Sequence, residues 1–189
     1  MEGRAALLIV DVQRDFCAGG ALEAPRAEEI IPALNRHIAD ASAHGTSIYA
    51  SRDWHPAVTR HFKEYGGEWP PHCVQNSRGA EFHPQLQLPH DAIVVSKGDD
   101  PARPGYSAFD GRTEAGRLLL DDLRARGITS VSVAGLTTDY CVKETVQDAL
   151  RAGLKVTVLT DAIAGINVKP GDADRALSQM EHGGATLAR

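Results

Sequence analysis

VAGLTTDYCVKETVQDAL, residues 133–150, decides the fold. It leaves a β-branched apolar run, SVSVA (Ser130–Ala134), turns through Gly135–Thr138, and enters a segment whose apolar residues recur every three or four positions. A strand that turns directly into an amphipathic helix is half of a strand–helix–strand unit. The other halves lie on either side. Ala5–Val10 (AALLIV), Thr46–Ala50 (TSIYA), Ala92–Ser96 (AIVVS) and Lys155–Leu159 (KVTVL) read as strands, and Gly184–Leu187 is a candidate sixth. Several are nearly continuous apolar runs, as expected of strands covered on both faces. Residues 26–44, 114–126, 139–152 and 171–182 carry helical spacing, and the first two end on glycine. Alternation of this kind predicts right-handed crossovers, a mainly parallel sheet and helices on both of its sides. No repeat or linker interrupts the chain, so residues 1–189 read as one α/β domain.

Composition narrows the classes of function. The 189 residues are 42% hydrophobic, enough for one sizeable core. A formal net charge of -5 offers no basic footprint for nucleic acid or an anionic membrane. The opening apolar run is short and ends at Asp11, so no signal peptide is expected, and no segment is long enough to span a bilayer. The three cysteines, Cys17, Cys73 and Cys141, are widely spaced and odd in number, which argues for a reducing cytoplasm rather than a disulfide framework. Self-association is left undecided.

Against this scaffold, four reactive side chains share one location. Asp11 follows the first strand, Asp53 the second and Lys97 the third, and Cys141 stands just past the fourth, where a helix begins. Open α/β sheets bind ligands outside the carboxyl ends of their strands. A thiol in a first helical turn is stabilised as thiolate by the helix dipole, and the free N–H groups there can hold an oxyanion. Position alone leaves a buried structural cysteine as an equal reading; a lysine and a carboxylate on the same edge favour catalysis, the ammonium stabilising a thiolate and the carboxylate moving its proton. Cys73, next to His72, is a rival nucleophile without a helix start behind it, and a Cys73–Cys141 redox pair is a further alternative.

Residues 54–91 lack periodicity and are rich in Pro, His, Trp and Gly. Stretches of that length are more often functional than filler. With the preceding SRD, the segment supplies Asp53, His55, His61 and His72. Asp53 and His55, two apart on extended chain, point to one side. A carboxylate and imidazoles without thiolate suit zinc, iron(II) or manganese. The pair alone says little; two more histidines in the same loop make a ligand set the better reading than scattered backbone contacts. Phe16, Trp69 and Tyr106 flank these segments and together could wall a flat pocket for a planar ring, although each alone reads as ordinary packing.

LLIVDVQRDFCAGGAL, SRDWHP, WPPHCVQNSRGAEFHP, SKG, GYSAF and GLTTDYCVKETVQDAL, in that order from about Ala6 to Gly165, resemble the nicotinamidases of the isochorismatase-like hydrolase superfamily. The resemblance implies a three-layer α/β/α fold with a six-stranded, mostly parallel sheet. It implies hydrolysis of nicotinamide to nicotinate and ammonia in NAD salvage, with pyrazinamide-like analogues as side substrates. By position it implies Asp11, Lys97 and Cys141 as the catalytic triad, and Asp53, His55 and His72 as ligands of one divalent ion, zinc before iron or manganese. His61 matches a fourth ligand found in some members. Phe16 and Trp69 match residues that sandwich the ring, and Tyr106 matches more loosely. A cis peptide before Thr137 is implied, with the backbone N–H groups of Thr137 and Cys141 as the oxyanion hole. Thr137 stands where the family often has Ala. Relatives acting on N-carbamoyl compounds or ureidoacrylate resemble the triad region but lack the Asp/His set; a non-catalytic pyridine-binding sensor would be expected to have a damaged triad, and none is seen here.

Overall fold

Residues 3–189 are described in a computed structural model. Seven strands form one sheet: β1 (Arg4–Val10), β2 (Ser47–Asp53), β3 (Ile93–Lys97), β4 (Arg112–Thr113), β5 (Ile128–Leu136), β6 (Lys155–Ala164) and β7 (Thr186–Ala188). Their order across the sheet is β4-β3-β2-β1-β5-β6-β7. Every neighbouring pair is parallel except β3 and β4. Helices α1 (Ile31–Ala43), α2 (Leu119–Ala125), α3 (Lys143–Arg151) and α4 (Asp172–His182) complete the fold.

The layers follow from the pleat. Successive side chains of β1 face opposite ways. Leu7 and Ile9 join Leu34 and Ile38 of α1 in one core. Ala6, Leu8 and Val10 join Leu119 and Leu123 of α2, Val146 of α3 and Met180 of α4 in the other. Burial on both faces is why β1 is a continuous apolar run rather than an alternating one. Among the described residues, no helix is long and apolar enough to cross a membrane.

The expected sheet had six strands, and the seventh is β4. It is two residues long and pairs antiparallel as Val95↔Thr113 and Ser96↔Arg112. Two residues carry no period, so nothing in the sequence announces it. Its turn also takes the start of the helix expected from residue 114: Thr113 N–H donates to Arg117 O, and α2 begins only at Leu119. β6 runs five residues beyond the expected Leu159.

Strand order reverses about β1, which lies between β2 and β5. That is the switch point at which open α/β sheets form a crevice. Register lines up the ends: Asp53 is paired with Lys97, and Val10 with Gly135. Asp11, Asp53, Lys97 and the segment after β5 are therefore brought to one edge by backbone pairing alone.

Candidate active site

Lys97 is the centre of the cluster. It is fully buried, and its ammonium lies 2.8 Å from Asp11 Oδ2, 2.5 Å from Asp53 Oδ1 and 3.5 Å from Cys141 Sγ. Gly105 O accepts a further hydrogen bond from it at 3.1 Å. Burial opposes the charge on Lys97, but Asp11 and Asp53 hold its pKa well above the ordinary lysine value. Asp53 is likewise held well below the carboxylate range: burial pushes its pKa up, and Lys97, His55 and His72 more than offset that. Asp11 goes the other way, raised chiefly by burial, with Lys97 opposing and Asp53 adding to the rise. One carboxylate of the pair is a firm anion, the other a ready proton acceptor and donor.

Asp11 sits just after β1 with φ 49, a left-handed backbone that aspartate tolerates better than most residues. Ser51 donates to its Oδ1 at 2.7 Å. Its Oδ2 faces the Lys97 ammonium at 2.8 Å.

Cys141 lies in a π turn, Thr138–Val142, that leads into α3. The thiol is buried, and its pKa is raised well above the usual value, by burial first and then by Asp11 and Asp53, with Lys97 opposing. The ammonium that would stabilise a thiolate is already shared by two carboxylates. The Leu136–Thr137 peptide is cis, as the resemblance implied.

The histidines converge on the other side of Asp53. Donor atoms of His55, His61 and His72 all lie within 4.8 Å of one another. Asp53 Oδ2 is 3.5 Å from His55 Nε2 and 3.7 Å from His72 Nε2. Ligands at about 2.1 Å from one tetrahedral ion would stand about 3.4 Å apart, close to these spacings. Each ring is oriented through its other nitrogen. His55 Nδ1 lies 2.9 Å from Gly98 O, and His72 Nδ1 lies 2.8 Å from Pro70 O. A carbonyl only accepts, so both Nδ1 atoms carry a proton, and in each ring Nε2 is the atom turned toward Asp53 and able to ligate. His55 Nε2 is fully buried with no partner, a cost that a bound ion removes. His61 stacks on His55 at 4.5 Å and is kept neutral, its pKa pushed down to about 3 by burial first and then by the neighbouring histidines. These four side chains fit a divalent metal ion.

The long loop is ordered by single bridges rather than by periodic elements. His55 pairs with Val74, which brings His72 alongside, and Phe62 pairs with Trp69. Gly98 adopts φ 74, and a Cβ there would come within 2.6 Å of the His55 ring. Only glycine allows that imidazole so close to the chain after Lys97.

Phe16 packs its ring 5.5 Å from that of His72. Trp69 Nε1 donates to Tyr106 Oη at 2.9 Å, and the indole meets Tyr140 edge-on at 4.9 Å. All the singled-out residues thus border one region. Sequence reasoning missed Tyr140, although it precedes Cys141 in the quoted segment. It also missed Gln13, a buried side chain that accepts from Asp53 N–H at 2.8 Å and donates to Asp53 O at 2.8 Å, fixing that residue's backbone. Asp53 was read as one of the reactive side chains at the strand ends and given the role of metal ligand; its direct contact with Lys97 was not foreseen. Cys73 is buried with a raised pKa, owed first to burial and then to Asp53, and all three cysteines are free.

Fold and site together define a class: a three-layer α/β hydrolase with a buried cysteine–lysine–carboxylate cluster. Comparison with known proteins narrows it. The isochorismatase domain model matches residues 5–189. A nicotinamidase of Escherichia coli (strain K12) is 44% identical, covering 96% of this chain and 93% of its own. A nicotinamidase/pyrazinamidase of Mycobacterium tuberculosis is 40% identical over 93% of this chain and 92% of its own. The crystal structure of the pyrazinamidase of Pyrococcus horikoshii in complex with zinc superposes with a TM-score of 0.91 at 44% identity, covering 98% of this chain and 99% of that one. The chain belongs to the isochorismatase family and is an amidohydrolase within it.

Proposed function

We propose that this protein hydrolyses nicotinamide to nicotinate and ammonia, a step of NAD salvage. The observation that carries the reading is Asp53, whose two carboxylate oxygens face Lys97 and the histidine set respectively. It joins an amide-cleaving cluster to a site suited to a pyridine nitrogen. The similar nicotinamidases support the same substrate.

In this reading, Cys141 Sγ attacks the amide carbon while its proton passes to Asp11. Asp11 returns that proton to the leaving nitrogen, and ammonia departs from a Cys141 thioester. Water then attacks the thioester, giving up a proton to Asp11, and nicotinate is released as the thiol re-forms. Lys97 keeps the two carboxylates from repelling each other and steadies sulfur as charge develops. Backbone N–H groups of Thr137 and Cys141 receive the carbonyl oxygen. Phe16, Trp69 and Tyr106 hold the ring. A divalent ion on Asp53, His55, His72 and His61, with zinc favoured by the nitrogen and oxygen donors and by the zinc-bound relative, would supply a Lewis-acid partner for the ring nitrogen. We place the chain, as one domain over residues 1–189, in a reducing cytoplasm on the strength of its three free thiols.

The test is ammonia release from nicotinamide by purified protein, before and after chelation and after zinc is restored. Turnover that chelation lowers and zinc restores is expected. No ammonia from the zinc-loaded protein would overturn the reading.

A further inference from the structure

Asp139 is outside every role assigned above. It lies two residues before Cys141 in the π turn and is 5% exposed. Its Oδ1 accepts from Ile166 N–H at 3.0 Å and its Oδ2 from Asn167 N–H at 2.7 Å. Asn167 adopts φ 54, and its own Oδ1 accepts from Ala173 N–H at 3.0 Å in the first turn of α4. Gly165 completes the arrangement: a Cβ there would stand 3.1 Å from Asp139 Oδ1 and 2.7 Å from Ala173 Cβ. A buried carboxylate thus links the turn bearing Cys141 to the segment after β6 and, through it, to α4.

The turn has reason to be held. Tyr140 N–H and Val142 N–H both donate to the single carbonyl of Thr137, at 3.1 and 3.0 Å. π turns are rare and are tolerated where surrounding structure fixes them. We propose that Asp139 is a positioning residue, its carboxylate setting where Cys141 Sγ and the adjacent backbone donors stand relative to the substrate carbonyl. The proposal rests on the reading of Cys141 as nucleophile. It differs from ordinary packing in what it predicts. Ring binding involves Phe16, Trp69, Tyr106 and the histidines, none of which bonds to Asp139; the turn reaches them only through Tyr140, whose ring packs against Trp69 and Tyr106, so loosening the clamp should slow chemistry far more than it weakens affinity.

Two variants test it from opposite sides. Asp139→Asn turns one acceptor into a donor facing an N–H. Gly165→Ala leaves the carboxylate in place but crowds it. Displacement of reacting groups by about 1 Å costs up to roughly 100-fold. Each variant should therefore lose at least about 10-fold in kcat, with KM and the Kd for nicotinate within about twofold of wild type and native circular dichroism. Wild-type kcat in either folded variant would overturn the proposal, as would KM and Kd rising in step with the loss. Should Asp139→Asn fail to fold, Gly165→Ala decides by the same criteria; failure of both to fold would make the contact structural and overturn the proposal. A wild-type protein without turnover overturns the activity reading along with this one, an outcome distinct from active wild type matched by its variants.

Discussion

At the scale of single residues, the charge count around Lys97 governs what each substitution should do. Two carboxylates and one ammonium leave one net negative charge before the thiol ionises. Cys141→Ala should remain folded and lose roughly 10⁴-fold or more in turnover, the scale seen when a nucleophile is deleted. Retained turnover there, or loss only in Cys73→Ala, would reassign the nucleophile. Asp11→Asn keeps the shape but cannot take a proton, and should be nearly inactive. Lys97 opposes the rise in the Cys141 pKa, so Lys97→Met should push the thiol higher still. The pH profile of iodoacetamide alkylation at Cys141 reads this directly. It should move to higher pH in Lys97→Met, and an unmoved profile removes Lys97 from the role.

At the scale of elements, the loop between β2 and β3 carries the metal-binding prediction. Three of the four ligand residues stand on it, and bridges such as His55↔Val74 and Phe62↔Trp69 hold them together. If the ion's task is to fix the ring nitrogen, benzamide, which lacks that nitrogen, should be a very poor substrate. His55→Ala should cut nicotinamide turnover strongly and benzamide turnover little, measured as ammonia release from each amide. Equal wild-type rates on the two amides would refute that task. The elements differ in how far the sequence disclosed them. β1, β2, β3 and β5 were legible as short runs rich in apolar and β-branched residues, continuous in β1 where both faces are buried, and their ends located Asp11, Asp53, Lys97 and Cys141. β4 was not legible, since two residues have no period. The π turn was read as a plain helix start, because side-chain spacing does not distinguish which carbonyl an N–H chooses. The second contact of Asp53 depends on the register Asp53↔Lys97, which only the paired strands reveal.

At the scale of the whole molecule, buried His61 makes folding sensitive to acid once the ion is removed. His61 is held to about 3 in the fold, whereas an unfolded histidine titrates near 6.5. Between those values the unfolded chain binds a proton that the folded chain refuses, so stability rises with pH and falls as the solution is acidified through that window. One such group contributes at most about 1.4 kcal/mol per pH unit. Urea midpoints of chelated protein should decline from about pH 6.5 downward, and His61→Ser should flatten the decline by about one proton. An identical slope in that variant would show that His61 carries none of it. The same chain holds two tryptophans in all. Trp54 lies under the Arg52 guanidinium, 3.9 Å from the ring centroid, while Trp69 reaches Tyr106 and Tyr140. With Trp54 replaced by Phe, the emission of the protein would come from one indole at the pocket wall. An electron-poor pyridine settling against it should quench that emission, so nicotinate occupancy could be followed by light with no turnover at all.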